Sequence, residues 1–194
     1  MLCTDVSPAM VAVATAKAAR AGVSAQVACR RLAIEDIAPQ LGRFDGALSN
    51  FGALNCVADL SDAARRLASC LRPGAVAVLV IMGPGAVVET SWHLLHGRLD
   101  RAVRRWLPNG SVWRGVRITY PNPAAARRAF APWFRTLRCD GLGVLLPPGD
   151  AAAWALRQPR QVAALDRASR ALAGLPGMAW LADHYVLELE RRTP

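Results

Sequence analysis

The stretch FDGALSNFGALNC, residues 44–56, decides how this chain folds. Its first part, Phe44 to Asn50, predicts a strand that runs into a loop. An amphipathic helix is then expected over residues 59–71, because its leucines and alanines recur on one helical face. Arg72-Pro73-Gly74 interrupts that helix, and residues 75–82 form an unbroken, valine-rich apolar run. Such a run is typical of a parallel strand covered on both faces, so the segment predicts a strand–helix–strand unit.

The same alternation continues on both sides of this unit. Upstream, Ser7-Pro8 predicts the start of a helix that reaches about Arg20, and a strand is expected over residues 24–29. Downstream, we expect helix over 88–107, 123–130 and 151–173, and extended structure over 116–120, 134–146 and 184–190. Strands that alternate with helices predict an α/β fold with a mostly parallel sheet.

Composition indicates one folded domain over residues 1–194. The chain is 53% hydrophobic and 20% charged, which is typical of globular proteins. Its longest apolar run, residues 75–82, is too short to cross a bilayer, and no signal peptide is visible, so we expect a cytoplasmic protein. The five cysteines are odd in number and form no CxxC pair, which favours reduced structural thiols.

The net charge of +10 is concentrated in one region. Residues 98–138 contain ten arginines and a single acid, Asp100. This excess predicts attraction to an anionic substrate, a phosphate-bearing carrier or a membrane surface, or simply a solvated arginine-rich face. Nucleic-acid binding is not expected, because no known binding signature accompanies the charge.

Four segments, in order, resemble the class I S-adenosylmethionine-dependent methyltransferases. They are Thr4–Met10, Ile34–Ile37, Phe44–Cys56 and Leu71–Gly74. The resemblance implies a Rossmann-like, doubly wound sheet and S-adenosyl-L-methionine as cofactor. It assigns cofactor contacts to Asp5, Val6, Asp36, Ile37, Asn50, Phe51 and Gly52.

Two of these assignments carry a specific role. Asp5 would bind the ribose hydroxyls of the cofactor, since a carboxylate accepts two hydrogen bonds from a diol. An Asx turn that leads into the helix is the structural alternative for this residue. Asp36 would lie near the adenine amino group, with Glu35 as the other candidate.

The family's first strand and its glycine-rich loop have no counterpart in this sequence. They would lie about twenty residues before Asp5, and the sequence begins at Met1. In the family sheet order 3-2-1-4-5-7-6, that strand lies between those ending at Asp5 and Ser49, both of which we expect to be interior and parallel. Three explanations are open for the absence of this strand: a truncated gene, direct pairing of the neighbouring strands, or a strand supplied by a second polypeptide or a homo-oligomer.

The acceptor is expected over the strand that ends at Met82. Residues 83–133 would form a cap there, with His93 as a general base. The acceptor contacts assigned to this cap are Trp92, Arg101, Arg104, Arg105 and Tyr120. Glu89, His93 and His96 share a helical face, but a further metal ligand is not evident, so no metal is expected. The sequence thus predicts methyl transfer to a small molecule, for which the arginine excess favours an anionic group, with a noncatalytic or partner-dependent module as the alternative.

Overall fold

The structure is a computed structural model that describes residues 1–50 and 52–193. Its strands are β1 (Leu2–Asp5), β2 (Ala28–Arg31), β3 (Phe44–Ser49), β4 (Leu71–Met82), β5 (Ser111–Trp113), β6 (Val116–Ile118), β7 (Phe134–Leu142) and β8 (His184–Arg191). Its α-helices are α1 (Pro8–Arg20), α2 (Leu60–Cys70), α3 (Val87–Leu95), α4 (Leu99–Val103), α5 (Pro123–Phe130), α6 (Ala152–Arg157), α7 (Pro159–Leu172) and α8 (Met178–Leu181). Within the described ranges, every helix is too short or too polar to span a membrane.

The main sheet has the strand order β3-β4-β8-β7. Strands β3 and β4 are parallel, whereas β8 runs antiparallel between β4 and β7. The core lies where the apolar residues of β4 and β8, including Leu79, Ile81 and Leu187, pack against Phe130 and Phe134. The predicted α/β fold is confirmed, and the position of the last strand matches the family order.

The first two strands form a separate sheet. Strand β1 pairs in parallel with β2, and β3 pairs in parallel with β4, but the described residues contain no pairing between β1 and β3. The parallel direction within each pair agrees with prediction. The predicted interior position is wrong, because β1 and β3 each lie at the edge of their own sheet. This split falls where the family's first strand would lie.

Several predicted elements have different bounds in the structure; β4, for example, begins at Leu71 and not at residue 75, and β7 ends at Leu142. The strand expected over 24–29 lies at β2, because residues 23–27 form a turn in which the Val23 carbonyl accepts from the Gln26 and Val27 amides. The helix expected over 88–107 is two helices, α3 and α4, separated at Gly97, whose φ is +68°. The strand expected over 116–120 is β6, which forms a hairpin with β5.

Candidate active site

Asp5 ends β1 and begins the turn into α1. Its Oδ1 accepts a hydrogen bond from the Ser7 amide at 2.8 Å, and Ser7 Oγ accepts from the Met10 amide at 3.4 Å. The Asx turn is therefore present. The second carboxylate oxygen, Oδ2, has no hydrogen-bond partner in the described part of the chain, so Asp5 retains an acceptor for a ligand. Val6 is exposed beside it, and its carbonyl accepts from Arg31 Nε at 3.1 Å.

A small cavity lies between the segment after β2 and the start of α2. It has a volume of about 160 Å³, and its lining includes Glu35 and Asp59. Asp36 is exposed and lies outside that lining, so Glu35 rather than Asp36 lies at this cavity, together with Asp59 and Asp62; Ile37 is half-buried. Pockets that enclose whole drug-sized ligands hold about 300–1,000 Å³, so this one suits only part of a cofactor.

The turn after β3 requires a glycine at position 52. Gly52 has a φ of +77°, in the left-handed region that other residues rarely adopt. A Cβ added there would lie 2.8 Å from Cε of Met82, at the end of β4. Asn50 is exposed at the end of β3, and Phe51 lies outside the described residues.

Asn55 joins three segments and is fully buried. Its Nδ2 donates to the Met82 carbonyl at 2.9 Å and to the Thr119 carbonyl at 2.7 Å, and its Oδ1 accepts from the Met82 amide at 2.9 Å. The Thr119 amide in turn donates to the Asn55 carbonyl at 2.8 Å. No role for Asn55 was predicted, although one amide in the apolar run from 53 to 57 was a usable signal.

The cap contains a buried cluster of charges centred on Glu89. Its carboxylate accepts from Arg104 Nε at 3.1 Å and also pairs with Arg105. Arg105 is only 7% exposed, and it further donates to the Gly83 carbonyl at 3.1 Å and the Asp183 carbonyl at 2.9 Å. Two of the three arginines assigned to an acceptor thus bind Glu89 of α3, and Arg105 also ties it to the ends of β4 and β8.

His93 is almost completely buried beside this cluster. Its Nε2 lies 3.9 Å from Glu89 Oε1 and 3.9 Å from Asp150 Oδ2, and its Nδ1 has no hydrogen-bond partner among the described atoms. Burial lowers the pKa of His93 and outweighs the two carboxylates, so the ring is held neutral. Arg98 and Arg101 both pair with Asp150. Because His93 is 1% exposed, it presents no open face to an acceptor, and its role as a general base stays a prediction.

Two further cap residues pack within the same region. The Tyr120 hydroxyl lies 2.9 Å from Ser111 Oγ, and the Arg105 guanidinium lies 5.3 Å from the centre of the Tyr120 ring. Trp92 stacks on His96 with ring centres 4.3 Å apart. The structure therefore joins Tyr120 to the buried charge cluster. Within the described ranges, His, Cys, Asp and Glu side chains form no group that could hold a metal ion.

Comparison with known proteins supports the fold and the family of the first segment. Residues 1–74 match the family model described as a methyltransferase domain. An S-adenosylmethionine-dependent methyltransferase from Mesorhizobium loti is 19% identical, with a TM-score of 0.58 over 98% of this chain and 79% of that one. The chain has the class I methyltransferase fold. The match over residues 1–74 is to a methyltransferase domain, and the Mesorhizobium loti enzyme with this fold is S-adenosylmethionine-dependent.

Other solved structures with the methyltransferase fold differ in activity. The geranyl diphosphate C-methyltransferase from Streptomyces coelicolor A3(2) is 13% identical, with a TM-score of 0.55 over 98% of this chain and 62% of that one. The [4+2]-cyclase SpnF is 18% identical, with a TM-score of 0.60 over 100% of this chain and 67% of that one. Curated proteins give no significant match. The methyltransferase fold therefore leaves the acceptor of this chain open.

The residues present fit the nucleoside half of the cofactor. A carboxylate with one uncommitted oxygen at the end of a parallel strand suits the ribose diol, and Asp5 offers this. The cavity beside Glu35 and the left-handed turn at Gly52 follow the next strands in the family order. Asp5, Glu35 and Gly52 are therefore the candidate residues for an S-adenosyl-L-methionine site.

Proposed function

We propose that this chain binds S-adenosyl-L-methionine at the carboxyl ends of β1 to β4 and transfers its methyl group to a small molecule. The observation that carries the proposal is the Asp5 carboxylate, which holds the turn into α1 with one oxygen and offers the other. When bound, the cofactor supplies an electrophilic methyl group. The role of this chain is then to orient the donor and an acceptor in line, since positioning alone contributes much of the rate.

The acceptor would approach beneath the cap formed by residues 83–133. The turn at Asn55 supports this, because its hydrogen bonds join the end of β4 to Thr119, near the hairpin of β5 and β6. Arg101, Arg104 and Arg105 already face carboxylates, so an anionic acceptor group would share them with Asp150 and Glu89. A cytoplasmic location also belongs to this proposal.

Calorimetric titration with S-adenosylhomocysteine tests the cofactor site. In the Asp5→Asn variant, the amide oxygen can still accept from the Ser7 amide, so the turn is kept while the charge is lost. Hydrogen bonds to charged groups contribute about 1.5–3 kcal/mol, so the dissociation constant should rise about tenfold to a hundredfold. Asp45→Asn is the matched control, because Asp45 is exposed at the start of β3 and pairs with Arg72. Equal losses in both variants would remove Asp5 from the site.

One observation favours a second candidate, a noncatalytic or partner-dependent module. Strands β1 and β3 each have an edge that the described residues leave unpaired, and such edges accept strands from other chains. A folded chain that fails to bind S-adenosylhomocysteine alone, but elutes as an oligomer or binds the ligand once a partner is added, would support this candidate over the first.

A further inference from the structure

Residues 94–117 carry an unusual amount of exposed apolar surface. The side chains that carry it are Leu94, Leu95, Leu99, Val103, Trp106, Leu107, Val112, Trp113 and Val116. Trp106 and Trp113 are 58% and 61% exposed, and Leu95 is 85% exposed. Large exposed apolar patches mark sites of interaction, whereas single exposed residues need no explanation. We call residues 94–117 the apolar–basic segment.

The exposed indoles of this segment are held in fixed positions. Trp106 donates its Nε1–H to the Pro84 carbonyl at 2.9 Å, so its ring is anchored at the polar atom while its apolar face stays in solvent. Trp113 lies near the tip of the β5–β6 hairpin, with the Arg114 guanidinium 4.7 Å from its ring centre. An extended residue spans at most about 3.6 Å, so the Cα atoms of the two tryptophans are at most about 25 Å apart. Both indoles are therefore close enough for one extended surface to reach.

The charge of the apolar–basic segment is strongly positive. It contains six arginines and one carboxylate side chain, Asp100. Arg98 and Arg101 share the single carboxylate of Asp150, and Arg114 and Arg117 form no ion pair with any described residue. The segment therefore presents uncompensated positive charge next to its exposed leucine, valine and tryptophan side chains.

We propose that the apolar–basic segment docks this protein on the surface of an anionic lipid bilayer. Tryptophan and leucine side chains enter the boundary between headgroups and acyl chains, and arginines beside them meet the lipid phosphates. An anionic bilayer complements both properties of the segment, its exposed apolar surface and its unpaired arginines. Nucleic acid would pair with the arginines and stack on the indoles, but it would leave the exposed aliphatic side chains in water.

The test is co-sedimentation of the full chain with phosphatidylcholine vesicles, with and without phosphatidylglycerol. The main variant is Trp113→Ala with Arg114→Gln. The control is Leu156→Ala with Arg157→Gln, another exposed apolar–basic pair, at the end of α6. Each arginine near an anionic surface changes the partition constant about fivefold, so the main variant should lose at least that factor once the tryptophan is also removed. Thermal melting, followed by circular dichroism, tests whether both variants are folded.

The proposal requires binding that depends on phosphatidylglycerol, weakens as salt is added, and is lost in the main variant but kept in the control. Equal binding to neutral vesicles, equal loss in both variants, or no binding to either vesicle would overturn it. Binding to duplex DNA without binding to vesicles would also overturn it in favour of the other class of partner. None of these outcomes depends on methyl transfer, so the proposed function is tested separately.

Discussion

Replacing Asn55 with alanine should destabilise the fold strongly. The side chain makes three hydrogen bonds, to the amide and carbonyl of Met82 and to the carbonyl of Thr119, and it is fully buried. At about 1 kcal/mol for each bond, the free energy of unfolding should fall by about 3 kcal/mol. For a chain of this size, that loss lowers the melting temperature by about 6–12 °C.

Urea unfolding, followed by circular dichroism, measures this loss. Asn122→Ala is the matched control, because Asn122 caps α5 through a single bond from the Ala125 amide at 2.8 Å and should cost about 1 kcal/mol. Asn55→Asp should cost at least as much as Asn55→Ala, since a carboxylate would face two carbonyl oxygens that it cannot donate to. If Asn55→Ala costs no more than Asn122→Ala, the hydrogen bonds of Asn55 are not what holds β3, β4 and the hairpin together.

Three further predictions concern the turn, the cap and its histidine. Gly52→Ala should lower the melting temperature more than Gly22→Ala, because both have positive φ but only position 52 is also crowded. Glu89→Gln should lower the free energy of unfolding in urea by about 3 kcal/mol, because it removes a partner from the buried guanidinium of Arg105. The folded-state pKa of His93 is lowered, so the unfolded chain takes up the proton first and stability should fall as the pH drops below about 6.5. Urea midpoints measured down that pH range should change less in His93→Gln.

Much of the main sheet could be predicted because its signals are local. The valine-rich run of β4 and the apolar face of α2 are each read from a few neighbouring residues, and both elements are present, although β4 begins earlier, at Leu71. The prediction of one helix over 88–107 was wrong. The apolar periodicity continues through Gly97, but the φ of +68° at Gly97 ends the helix. Periodicity reports which residues share a face but does not report where the backbone turns.

The contacts of the cap could not be predicted, because they join residues that are far apart in the chain. The arginine excess predicted an anionic ligand, but Arg105 pairs with Glu89 and with Asp183, which lies 78 residues further on. Asn55 and Thr119 are 64 residues apart. A single sequence shows charge and apolar pattern. Whether an arginine binds a ligand or an internal carboxylate depends on how α4 packs against α3.

The antiparallel strand β8 affects the order in which this protein can assemble. Strand β8 lies between β4 and β7, and in the described sheet β7 pairs only with β8. During synthesis, β4 and β7 are therefore complete well before the strand that joins them leaves the ribosome. Until residue 191 has emerged, the apolar edge of β4 has no partner on that side, and unpaired apolar edges are prone to association. Of the strands in this sheet, the central strand β8 is thus synthesised last. Until β8 has been synthesised, chaperones should be needed to protect the nascent chain.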